Sequence, residues 1–142
     1  MPPNRLCWLF IWLTTCAGVI HAQDYHRPRG VDVMSESALF DQFAGNSVFN
    51  RAYTEYYLPP DPGGKRGRLR GNSETYGPYE GNWRIDGELI CIEYELRLMA
   101  PLGNCYTAAR VGEEVRIYRR DGYELYPDGG RLKPLSGNPE NL

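Results

Sequence analysis

The chain has 142 residues, with 16 Lys and Arg against 18 Asp and Glu and a formal net charge of −2 at pH 7. That balance excludes a basic nucleic-acid binder and an acidic tail protein. With 42% hydrophobic residues, the length supports one domain with a genuine core and is too short for two.

Residues 1–22 read as a secretory signal peptide. Arg5 gives a positive start, Leu6 to Leu13 ("LCWLFIWL") form a short apolar core, and Ile20-His21-Ala22 fits a cleavage site ahead of Gln23. The apolar run is too short to span a bilayer, and no later segment approaches the roughly 20 apolar residues a transmembrane helix needs. The mature chain is therefore expected to be exported, periplasmic or secreted, with no transmembrane segment. Cys16 invites a lipid-anchor reading, but Thr15 stands where a small Gly or Ala is wanted, so a residue closing the apolar core is preferred.

Residues 23–34 are polar and predicted to form a disordered lead segment. "SESALFDQFAGN" then carries a short helix: Ser35 is the N-cap, Leu39, Phe40 and Phe43 share a stripe, and Gly45 stops it. A helix this short is marginal alone and must dock its aromatic stripe on something.

From Ser47 onward, short runs rich in Tyr, Ile, Val and Leu alternate with Gly, Pro, Asn and Asp, which is β punctuation. The expected strands are 47–58, 65–71, 74–79, 81–86, 88–98, 104–110, 114–120 and 123–133. Tight turns are expected at Asp86-Gly87, Asp121-Gly122 and Asp128-Gly129. The first would set Ile85 opposite Glu88 and Trp83 opposite Ile90, with Trp83, Ile90, Ile92, Tyr94 and Leu96 on the core face. The second would set Arg119 opposite Glu124. The fold class is thus all-β with one N-terminal helix: an antiparallel meander of about eight strands, closing as a small up-and-down, lipocalin-like barrel. A two-layer open sheet capped by the helix is the alternative. Residues 35–134 form the single β-rich domain and 135–142 a C-terminal tail.

Of the four cysteines, Cys7 and Cys16 leave with the signal, so Cys91 and Cys105 remain as a lone pair in an exported chain. In an oxidising compartment that pair predicts a disulfide. A metal site or a Cys nucleophile would need histidine or further ligands nearby, and only His26, in the lead segment, follows the signal.

Two other groups of residues are candidates for binding. Lys65, Arg66, Arg68 and Arg70 in "PGGKRGRLRG" put three arginines on one strand face, suited to an anionic partner or to a charged, self-protecting edge. Tyrosines crowd the β region, and a ligand pocket is expected to be lined by Trp83, Tyr94 and some of Tyr53, Tyr56 or Tyr57. Catalytic motifs are absent: no G-x-S-x-G elbow, no phosphate-binding loop, and carboxylates at Glu93/Glu95 and Glu113/Glu114 that read as solvated. No catalytic residue, metal ligand or cofactor is expected.

"GNSVFNRAYTEYY", "GNWRIDGELICIEY", "NCY" and the terminal "GNPENL" together resemble an uncharacterised family of small exported proteobacterial proteins. Its motifs are a G-x-W, a glycine ahead of C-x-x-Y, and a second Cys followed by an aromatic. The resemblance implies an exported β-domain and no activity. A looser, architectural similarity is to secreted small-barrel protease inhibitors with a single disulfide. The expected function is a non-enzymatic binding or interaction module of the cell envelope, acting on an unknown ligand or protein and not on nucleic acid. A secreted enzyme inhibitor presenting a strand edge, a loop or an N-terminal arm, with Gln23 to Gly30 as the natural arm, is the second reading, and a hydrolase of unrecognised type the third.

Overall fold

The structure is a computed structural model that describes residues 25–127 and 130–142. The expected signal peptide, with Cys7 and Cys16, and the expected turn at Asp128-Gly129 lie outside the described residues.

One helix, α1 (Glu36–Phe43), precedes eight antiparallel strands: β1 (Ser47–Phe49), β2 (Tyr53–Tyr57), β3 (Arg66–Ser73), β4 (Gly77–Asp86), β5 (Leu89–Tyr94), β6 (Cys105–Val111), β7 (Glu114–Tyr118) and β8 (Lys133–Leu135). A 3-10 turn at Ala100–Leu102 interrupts the link from β5 to β6. The strand order is β7-β6-β5-β4-β3-β2-β1-β8. The chain returns on itself because Leu132 and Val115 of β7 exchange backbone hydrogen bonds of 2.8 and 3.2 Å just before β8 pairs with β1. The sheet is therefore a nearly closed barrel, as the meander pattern implied, and the two-layer alternative does not apply.

Local chemistry explains where the strands depart from expectation. Residues 47–58 are a hairpin, not one strand: the Asn50 side chain accepts hydrogen bonds from the backbone N–H groups of Ala52 (2.8 Å) and Tyr53 (3.1 Å) and folds the chain over. Residues 77–79 of the expected strand 74–79 run on into 81–86 as a single strand of 10 residues, because Gly81 sits within the ladder, opposite Leu69 and Tyr94, while 74–76 form the turn before it. Of the expected strand 123–133, the described residues 123–127 and 130–132 pair with β7 only through two isolated bridges, and Lys133 opens β8.

The turn residues after β4 are Gly87 and Glu88, with Gly87 at φ 58°, so Trp83 opposes Ile92 and Ile85 opposes Ile90. The pairing moves by two residues, which preserves the alternation of faces, so Trp83, Ile85 and Ile90 are buried as the pattern required. Arg119 pairs with Asp121 and not Glu124, which is held by Arg131 at 2.9 Å.

Ser35 caps α1 through its side chain on the N–H of Ala38. The helix lies across one end of the barrel. Phe43 meets Tyr57 with ring centroids 4.9 Å apart, and Phe40 meets Trp83 at 6.5 Å. Leu39, Phe43, Val48, Leu69, Trp83, Ile90, Ala108 and Val115 form the centre of the apolar core.

The described part of the lead segment is docked, against the expectation of disorder. Strand β5 pairs with β6 only at Ile90 and Cys91, which leaves the Ala108 carbonyl open, and the Met34 N–H takes it at 2.8 Å. The Tyr25 hydroxyl accepts from the Thr107 N–H and donates to the Tyr118 carbonyl. The C-terminal segment is also tied down, since the Ser47 hydroxyl donates to the Gly137 carbonyl at 2.7 Å.

Cys91 and Cys105 are bonded directly across β5 and β6, closing a loop with a sequence separation of 14. Because β5 and β6 share a ladder of only two pairs, the bond reinforces a short seam of the barrel. Replacing both cysteines by serine is expected to cost about 3 kcal/mol on a chain-entropy estimate for a loop of this length. A lowered Tm under non-reducing conditions would agree; an unchanged Tm would contradict the clamp.

Candidate functional site

In β2, "YTEYY" alternates across the sheet, so Tyr53, Glu55 and Tyr57 point into the barrel while Thr54 and Tyr56 point away. Glu55 is only 1% exposed. Three phenols donate to it: Tyr57 to Oε2 at 2.8 Å, and Tyr79 and Tyr94 to Oε1 at 2.9 and 2.8 Å. A buried carboxyl pays a large desolvation cost unless hydrogen bonds replace water. Here the donors come from β2, β4 and β5, so the offset depends on three strands being in register.

Gly71 makes the arrangement possible. Glu55, Gly71 and Tyr79 are successive partners across β2, β3 and β4. The Tyr79 ring lies flat over Gly71, where an added Cβ would come within 2.2 Å of the ring. The absent side chain lets the ring reach across one strand to Glu55.

The carboxyl faces a cavity of about 290 Å³. Its walls are aromatic (Tyr53, Tyr79, Tyr94, Tyr106, Tyr126) and aliphatic (Ile90, Ile92, Ile117, Leu125, Leu132), with Phe43 of α1 at the plugged end. At the other end Thr75, Tyr76 and Leu102 line the cavity, and Leu102 is 49% exposed, so the cavity opens there. Leu98, on the same loop, is 73% exposed. Tyr53 and Tyr126 meet across the cavity, hydroxyl to hydroxyl at 3.4 Å.

Burial raises the Glu55 pKa above its ordinary value, and the hydrogen bonds from Tyr94, Tyr57 and Tyr79 oppose that rise. The phenols are held neutral. Burial first and the Glu55 charge second push Tyr53, Tyr57, Tyr79 and Tyr94 upward. Tyr106 is pushed up to about 12, again chiefly by burial. The cavity thus offers a hydrogen-bonding carboxyl set among neutral phenols and apolar walls. Glu55 is the one carboxyl among its described lining residues, so the two-acid arrangement of a glycosidase is not assembled there.

The pocket residues expected from sequence divide. Tyr53, Tyr57 and Tyr94 line the cavity. Tyr56 faces away from it, because it is one residue out of phase with Glu55. Trp83 is inside the barrel but 1% exposed, packed beneath α1 with Nε1 donating to the Leu58 carbonyl at 3.2 Å. It belongs to the core at the plugged end and not to the cavity wall.

The basic cluster keeps the predicted face, with Arg66, Arg68 and Arg70 all outward. It does not converge on a common anion. Arg68 bridges Glu80, at 2.7 Å, and Glu95, while Arg70 approaches Glu80 and Lys65 pairs with Glu36. Acids on β4, after β5 and on α1 neutralise what looked like a surplus along β3. Arg66 stands opposite Arg84 at the end of the row. Among the described residues no group of three or more His, Cys, Asp or Glu could hold a metal ion.

Glu55, Tyr79 and Tyr126 are the site residues that the sequence did not single out. For Glu55 the signal was the period-two "YTEYY", with an acid on the same face as two tyrosines. Compared with protein-family models, with curated proteins and with solved structures, the chain matches none.

Two predictions follow the geometry of this cluster. A carboxyl whose pKa is raised by folding contributes stability that is fully present below its ordinary value of 4.5 and is lost as pH rises through the folded value. The groups facing it, Tyr57, Tyr79 and Tyr94 with Tyr53 and Tyr126 beyond, stay neutral over that range. Glu55→Gln should therefore gain stability relative to the parent chain as pH rises from 4 to 8, measured by urea unfolding; a difference independent of pH would contradict the raised pKa. Gly71→Ala should displace the Tyr79 ring and cost about 1 to 3 kcal/mol, and a variant as stable as the parent would show that the ring does not depend on the missing side chain.

Proposed function

We propose that the protein is an exported, non-enzymatic ligand-binding barrel of the cell envelope, which holds a small molecule in the tyrosine-lined cavity. The observation that carries this reading is the open, largely apolar cavity with one hydrogen-bonding carboxyl in its wall, the usual make-up of a small-molecule site. A volume of about 290 Å³ suits a compact ligand and not a long acyl chain. The exposed apolar side chain of Leu102 at the mouth favours entry of a partly apolar molecule. Export is supported by the signal-like residues 1–22 and by the Cys91–Cys105 bond, which belongs in an oxidising compartment.

The inhibitor reading draws less support, because the base of the described part of the proposed arm is docked: Tyr25 and His26 are hydrogen-bonded to β6, to Tyr118 and to Arg120. None of the described helices is long and apolar enough to cross a membrane.

Native mass spectrometry of the chain purified gently from the envelope fraction tests the proposal. A carried adduct is expected on the parent chain and is expected to be lost from Thr75→Trp, which fills the mouth without touching the Glu55 cluster. An adduct that survives Thr75→Trp would place the bound molecule outside this cavity, and a parent chain that stays bare after incubation with envelope extract would argue for a protein partner instead.

A further inference from the structure

Glu55 carries more than a structural role needs. Its two oxygens offer about four acceptor positions. Tyr79 and Tyr94 occupy two on Oε1, and Tyr57 occupies one on Oε2. One acceptor position on Oε2 is therefore left over on a residue that lines the cavity. No basic side chain lies among the described lining residues, and none of the described ion pairs includes Glu55. Buried carboxyls are ordinarily matched by a cation or a metal.

The surroundings fit such a cation. Tyrosine rings attract ammonium groups to their faces, and Tyr53, Tyr79, Tyr94 and Tyr126 ring the carboxyl side of the cavity. Beyond them the walls are largely aliphatic, at Ile117 and Leu125 among others, with neutral hydroxyls such as those of Ser73 and Thr75 and no further charge among the described lining residues. An anionic ligand would meet an acid and no base. A neutral ligand would leave the carboxyl without a counter-charge.

We infer that the ligand is a small organic monocation, with an ammonium group seated against Glu55 and the tyrosine rings and a short apolar or aromatic body filling the aliphatic part of the cavity. The inference rests on the binding-barrel reading and names the chemistry of its ligand.

Three probes of one shape separate the two ideas: phenethylammonium, 2-phenylethanol and phenylacetate, each titrated calorimetrically into the mature, oxidised protein at pH 7.5. Phenethylammonium should bind about tenfold or more tightly than the alcohol, the scale of one charged hydrogen bond, and phenylacetate should bind least. Glu55→Gln should remove the preference for the ammonium probe over the alcohol, a loss of about tenfold in their affinity ratio. The comparison among probes on the parent chain stands even if that variant fails to fold. Alcohol binding equal to or tighter than ammonium binding would overturn the monocation and leave the cavity reading intact. Binding of none of the three would overturn both.

Discussion

The barrel is organised around one buried acid. Glu55 occupies an inward position of β2, and its carboxyl is made tolerable by phenols from β2, β4 and β5. Each donor is useful only if its strand is in register, because a slip of one residue would turn Glu55 to solvent and its tyrosines with it. The polar cluster therefore does what an apolar core cannot do alone: it penalises neighbouring registers that would bury similar area. Gly71 belongs to the same constraint, as the gap through which Tyr79 reaches the acid.

The outer face of the sheet supports this interior. Strand β5 presents Tyr94 inward to Glu55 and Cys91 outward to Cys105. The covalent bond thus secures the strand that delivers one of the three phenols, at the seam where the ladder to β6 is only two pairs long. The helix completes the arrangement from one end, with Phe40 and Phe43 on Trp83 and Tyr57, and leaves the opposite end open. A plugged end, an open end and a polar point between them are the elements of a binding site, and they follow from the placement of a few aromatic residues and glycines.

Much of the framework was legible in the sequence. Ser35 and Gly45 bounded a helix with an aromatic stripe, and the two cysteines left after residue 22 paired. Alternation placed Trp83, Ile90 and Ile92 inside even though the turn lay one residue later than expected, because the parity of a strand survives a shift of two in pairing. The site was harder to see. Glycine reads as a breaker by default, so Gly81 split β4 in two and Gly71 passed as charge-cluster spacing. Carboxylates were weighed as pairs for catalysis, and a single acid between tyrosines did not register. Reading 47–58 as one strand also hid the hairpin, although the alternation within "YTEYY" already set Tyr53, Glu55 and Tyr57 on one face. The arginine row misled for a related reason: its neutralising partners, Glu36, Glu80 and Glu95, lie on other elements and come together only in the fold.

The central claim, that a buried carboxyl among phenols organises the barrel, is tested most directly by an NMR titration of the glutamate side-chain carboxyls, with Glu55 assigned through its Gln variant. The account predicts that Glu55 titrates above its ordinary value of 4.5, apart from exposed acids such as Glu95, which Arg68 holds below it. A Glu55 resonance that titrates at or below 4.5, together with the solvated acids, would contradict it.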